Sequence, residues 1–161
     1  MPDPMPIILC VKSSTMATEC IDNFQPEYEG SVIIFATYLL DLTFDIVIHV
    51  IFSAAAGALD IPMLLRGEIL SPSDQHNLGT KNYSKAPVAV ILGRMYDDAD
   101  IAEMREACKG RSNVPWLRQD PSKPEPPLGN GFAEVMVERM KACLSNLAAQ
   151  GRFNQDGVYL Y

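Results

Sequence analysis

The side chains able to do chemistry gather at two points of the sequence. One is Lys12-Ser13-Ser14-Thr15, a cation followed by hydroxyls, directly after the apolar run Ile7–Val11. The other is Gly93-Arg94-Met95-Tyr96-Asp97-Asp98, directly after the apolar run Val88–Leu92. Arg118 follows a further run, Val114–Leu117. Hydroxyls and cations at the start of a helix suit an anion: the first helical N–H groups lack internal partners, and charge-assisted hydrogen bonds are the strong ones. The candidate ligand-binding set is therefore Lys12, Ser13, Ser14, Thr15, Gly93, Arg94, Tyr96 and Arg118. A different use of the same region is acid–base catalysis, with Tyr96, Asp97, Arg94 and Ser14 as candidate catalytic residues. Competing with both is a local role, in which Ser13 to Thr15 and Asp97 or Asp98 cap helices.

Other chemistries lack their residues. No GxGxxG or GxxxxGK[ST] occurs, and Gly79-Thr80-Lys81 is too short for a phosphate loop, so no nucleotide cofactor is assigned. There is no GxSxG, and neither His49 nor His76 has a nucleophile at a known spacing. Cys10, Cys20, Cys108 and Cys143 are scattered without a CxxC pair or a nearby histidine, which excludes a structural metal site and suits buried free thiols in a reducing compartment. The formal net charge of −7 argues against nucleic acid and anionic membranes, since both require a basic face. The start, MPDPMPIILC, has no basic region and only a short apolar run, so no signal peptide is expected and the location expected is cytoplasmic.

The elements that must position these residues follow from the apolar pattern. At 161 residues, with 48% hydrophobic and 20% charged residues, the chain fits one α/β domain spanning 1–161. Continuous apolar runs at Ile7–Val11, Val47–Phe52, Val88–Leu92 and Val114–Leu117 predict strands buried on both faces. Helical spacing predicts helices over Met16–Phe24, Ala54–Leu65, a segment capped at Asp97 or Asp98 and closed by Gly110, and Phe132–Gln150. Residues 66–87 read as a long loop, and Asp120–Gly131 as an extended, proline-rich stretch. Alternating strands and helices impose parallel pairing with right-handed crossovers. The expected architecture is a three-layer parallel sheet of about four strands in order 2-1-3-4, Rossmann-like or flavodoxin-like. In that order the strand sequence reverses beside strand 1, which places a ligand crevice between the loops after strands 1 and 3.

Residues 30–46 do not fit this plan. They add a second apolar run directly before the Val47 strand. The stretch from Val32 to Phe52 has a membrane-span length, but Asp41, Asp45 and His49 lie within it, and ionisable groups at bilayer depth cost several kcal/mol. An added strand or helix that needs a partner surface is the preferred reading, with self-association into a homodimer as its consequence.

The stretches Pro87–Asp100 (PVAVILGRMYDDAD) and Asn113–Asp120 (NVPWLRQD) resemble a group of small, uncharacterised fungal proteins with a Rossmann-like fold. The resemblance covers most of the chain outside 30–46. It implies the fold and a fungal source, and assigns no residue a role. Locally, Ser13-Ser14-Thr15-Met16-Ala17-Thr18-Glu19 is similar to the flavodoxin phosphate loop T/S-x-T-G-x-T-E, with Met16 where that loop has glycine. Three functions of different class follow as expectations: a binding protein for an anionic or nucleotide-like small molecule, a cofactor-independent isomerase, lyase or cyclase of fungal metabolism, and an oligomeric interaction protein.

Overall fold

In the computed structural model the described residues are 5–24, 47–68, 70, 77–111 and 113–161. The elements run β1 (Ile7–Cys10), α1 (Ser14–Phe24), β2 (Val47–Ile51), α2 (Ala54–Leu65), β3 (Ala89–Leu92), α3 (Asp98–Ala107), β4 (Pro115–Arg118), α4 (Phe132–Ala149) and β5 (Gly157–Leu160). The strands form one parallel sheet in the order β2-β1-β3-β4-β5. The expected order 2-1-3-4 is present, and a fifth strand extends it at the β4 side. This is one of the doubly wound orders, with its reversal at β1 and β3.

Every residue of β1, β2 and β3 is buried. Successive side chains alternate between two cores, as the period of a strand requires. Ile7 and Leu9 join Ala17, Cys20 and Phe24 of α1 and Met136, Met140, Leu144 and Leu147 of α4. Ile8 and Cys10 join Ile61 and Leu64 of α2 and Ile101, Met104 and Trp116 on the opposite face. Helices on both faces of one sheet make the three layers. At Gly57 an added Cβ would meet the Met104 side chain of α3, so the bare backbone of α2 leaves room for that side chain.

The helix starts are built locally. Ser53 Oγ accepts from Ala56 N–H at 3.1 Å to begin α2. Asp97 and Asp100 form a reciprocal capping box at α3, each side chain accepting from the other's backbone N–H.

The sheet's two outer strands are finished differently. Along β2, the Asn77 amide accepts from Val50 N–H at 2.9 Å and donates to Val50 C=O at 2.8 Å, as a neighbouring strand would. Thr80 N–H and Lys81 N–H then donate to the Val47 and Ile48 carbonyls, each at 3.0 Å. This part of the long loop therefore lies along the edge of β2. On the other side, β5 alternates half-buried and exposed residues. Tyr161 beyond it donates from its backbone N–H to Arg118 C=O at 3.0 Å and is buried.

Residues 30–46, with their expected added strand or helix and their expected role in self-association, lie outside the described residues. Among the described residues no helix is long and apolar enough to cross a membrane.

Candidate functional site

The reversal of strand order creates an opening over the carboxyl ends of β1 and β3. A cleft of about 510 Å³ occupies it. Its floor depends on a close approach: Gly93 N–H donates to Cys10 C=O at 2.8 Å, and a Cβ on Gly93 would sit 3.1 Å from Val11 Cγ1. One wall is Lys12, Ser13, Thr15 and Met16, where β1 turns into α1, with Glu19 and Cys20 a turn further on. The facing wall is Phe132, Met136 and Met140 of α4. Arg94 and Met95 after β3, Gln119 after β4, Leu128–Asn130 and Tyr161 complete the lining. Met95 and Leu128 are 61% and 70% exposed, so both mark the mouth as apolar.

Of the expected ligand-binding residues, Lys12, Ser13, Thr15, Gly93 and Arg94 line this cleft. Ser14, Tyr96 and Arg118 do not line it. Ser14 sits in the first turn of α1 with its carbonyl accepting from Thr18 Oγ1 at 3.0 Å. Tyr96 points into the α2–α3 core, where its hydroxyl donates to Ile51 C=O at 3.0 Å. Arg118 Nη1 pairs with Asp98 Oδ1.

The cations of the cleft are paired as well. Lys12 Nζ lies 2.7 Å from Asp100 Oδ2 and 4.9 Å from the centre of the Tyr96 ring. Arg94 Nη1 lies 2.8 Å from Glu125 Oε2, with its guanidinium 5.9 Å from the centre of the Phe132 ring. The hydrogen bond from Lys12 holds the Asp100 carboxyl below its usual range, so that partner stays ionised at neutral pH. Ser13 serves as a cap, its Oγ accepting from Met16 N–H at 3.3 Å and its carbonyl from Ala17 N–H at 2.9 Å.

Of the candidate catalytic residues, Tyr96, Asp97 and Arg94 each have side-chain atoms engaged with a different partner, while Ser14 lies apart from the cleft. Burial pushes the Tyr96 phenol well above its usual range, which suits a structural donor and not a proton shuttle. Asp97 accepts from Asp100 N–H at 2.8 Å as the cap of α3.

The sequence reading missed Met16, Met136, Met140, Leu128, Gln119 and Tyr161 as cleft residues. Only the helical phase of α1 and α4 carries a signal for the first three. Gln119 holds the most informative atom. Its Nε2 lies 3.4 Å from Glu125 Oε1, and among the described residues its buried Oε1 has no hydrogen-bond partner.

A second polar group sits under the β2 edge. His49 is buried, with Nδ1 2.8 Å from the Tyr83 hydroxyl and Nε2 3.6 Å from Asp60 Oδ2. Asn77 Nδ2 lies 3.3 Å from the same Nε2. This cluster joins the edge-covering segment to β2 and α2.

The cysteines are all free, and Cys10, Cys20 and Cys108 are buried. Burial pushes the Cys20 thiol up to about 11, so this cleft residue is a neutral thiol at physiological pH. Among the described residues no group of histidines, cysteines and carboxylates could hold a metal ion.

The chain is similar to a fungal protein of Aspergillus oryzae (strain ATCC 42149 / RIB 40) named Kojic acid related protein 6. The two are 28% identical over 98% of this chain and 87% of that protein. No protein-family model matches the chain, and no solved structure matches it.

Proposed function

We propose that this protein binds a small organic molecule in the cleft over β1 and β3, in a Rossmann-like framework. The observation that carries the reading is the cleft itself. It lies at the strand-order reversal, where open parallel sheets receive ligands, and its volume of about 510 Å³ suits an organic small molecule. Its lining has the composition of such sites, with apolar walls from Met16, Phe132, Met136 and Met140 and a few polar groups from Ser13, Thr15 and Gln119. The similarity to a protein named for kojic acid supports a small fungal metabolite as the class to search. Binding is favoured over isomerase, lyase or cyclase chemistry because the polar atoms of Tyr96 and Asp97 are committed to the fold. A cytosolic location belongs to the same reading, supported by the buried free thiols.

The test is a thermal-shift and calorimetric screen of the intact protein against kojic acid, riboflavin, flavin mononucleotide and nicotinamide nucleotides. A ligand present at 100 times its dissociation constant stabilises the folded state by about 2.7 kcal/mol, which a melting curve resolves. If no member of a broad metabolite panel binds at millimolar concentration, the binding function is withdrawn.

We further propose self-association through residues 30–46. Its support is compositional: Val32, Ile33, Ile34, Phe35, Tyr38, Leu39, Leu40, Leu42 and Phe44 concentrate apolar surface in one short segment.

A further inference from the structure

Building on the proposed cleft function, we infer that the ligand is an uncharged, flat aromatic molecule carrying an N–H or O–H donor, and that the site discriminates against phosphate. The cations that line the cleft bring no net positive charge to it. Lys12 is neutralised by Asp100 and Arg94 by Glu125, while Glu19 adds a carboxylate to the lining. A phosphate placed against either cation would also face the carboxylate already paired with it, in a chain of net charge −7.

Part of the backbone near the cleft is already committed. Gly93 N–H is taken by Cys10 C=O, Tyr96 N–H by Gly93 C=O, and Met16 N–H by Ser13 Oγ. Met16, at the position where a flavodoxin-type loop has glycine, places its side chain on the cleft wall.

What the cleft does offer suits a ring. Of the chain's 8 methionines, Met16, Met95, Met136 and Met140 line it, beside Phe132 and Leu128. Thioethers are polarizable, adapt to irregular shapes and make favourable contacts with aromatic rings. Among the described residues, the one buried polar atom of the lining without a hydrogen-bond partner is an acceptor, Gln119 Oε1, whose amide nitrogen contacts Glu125 Oε1 at 3.4 Å. A buried acceptor is satisfied by a donor and repels an anion.

The test uses two dyes that share a skeleton and an amine N–H and differ by one sulfonate: N-phenyl-1-naphthylamine, which is neutral, and 8-anilino-1-naphthalenesulfonate. Fluorescence titration of the intact protein at low salt, where charge effects are largest, should show the neutral dye binding at least as tightly. Leu128→Asp, at an exposed position on the mouth, should weaken the neutral dye by about tenfold through lost apolar contact and added charge. Glu125→Gln, which releases Arg94, should raise the affinity of the anionic dye by roughly two- to fivefold, the size of one exposed charge interaction. Gln119→Met should weaken the neutral dye by roughly fivefold, the loss of one hydrogen bond.

A sulfonated dye that binds about tenfold tighter than the neutral one overturns the inference and leaves the ligand-binding reading standing. Neutral-dye binding unchanged by both Leu128→Asp and Gln119→Met overturns it too, because the dye then sits elsewhere. Absence of binding by either dye overturns the inference, and the fate of the broader reading then rests on the metabolite screen alone.

Discussion

Tyr96 and Tyr161 lie in the cores on opposite faces of the sheet, yet each spends its hydroxyl on a carbonyl at a strand end. Tyr96 donates to Ile51 C=O at 3.0 Å, and Tyr161 to Leu92 C=O at 2.8 Å. Burial pushes both phenols well above their usual range, so both remain donors across the physiological range. Tyr161→Phe leaves the Leu92 carbonyl without this donor, and the expected cost is about 1–3 kcal/mol, read as a lower urea midpoint at unchanged slope. Asp100 makes a second prediction. Its carboxyl is held low in the folded protein by Lys12, so the unfolded chain binds that proton more readily. The resulting stability is present above the ordinary carboxylate range and is lost as pH falls through the depressed folded value. Asp100→Asn should therefore flatten the fall of stability below about pH 4 in acid titrations followed by circular dichroism. Lys12 and Arg94 were legible in the sequence because each follows a buried apolar run. Their partners were not, since Asp100 lies 88 residues from Lys12 and Glu125 lies 31 from Arg94. The sequence reading took the cations as free to meet an anion; pairing across those separations is what alters the chemistry expected of the cleft.

Elements buried on both faces announce themselves, and those at the rim do not. IILC of β1 and AVIL of β3 are apolar at every position because helices cover both sides. β5 reads Gly-Val-Tyr-Leu with exposed alternate positions, and it directly follows the polar stretch Asn154–Asp156, so no such run marks it. The covering of β2 by Asn77, Gly79 and Thr80 was equally hidden, because a side-chain amide substitutes for a strand there. Backbone contact at Gly79 is close: an added Cβ would lie 2.5 Å from the Ile48 carbonyl carbon. Gly79→Ala must push the segment off β2, at an expected cost of about 1–3 kcal/mol, comparable to overpacking a core. Hydrogen exchange should show the displacement directly, as lost protection at the Val50, Thr80 and Lys81 amides, whose acceptors lie across that contact.

At the scale of the whole molecule, the apolar content of residues 30–46 leads to a prediction about assembly. At about 25 cal/mol per Å², burying that much apolar surface is worth several kcal/mol, enough to drive association. Light scattering of the intact protein should report a dimer, and a version lacking 30–46 a monomer. A monomeric intact protein would end the self-association proposal. The order of the sheet has a consequence of a different kind, in time. β1 is flanked by β2 and β3, with Ile7 opposite Val47 on one side and Ala89 on the other. Among the described residues no pair of adjacent strands is joined by a hairpin, so each pairing must close a long loop before it is rewarded, and such topologies fold slowly. During synthesis β1 emerges first, but its second neighbour does not exist until residue 92 has been made. For that interval one edge of Ile-Ile-Leu-Cys has no native partner to pair with. The strand at the centre of the finished sheet is thus the one whose nascent form depends most on protection from other chains.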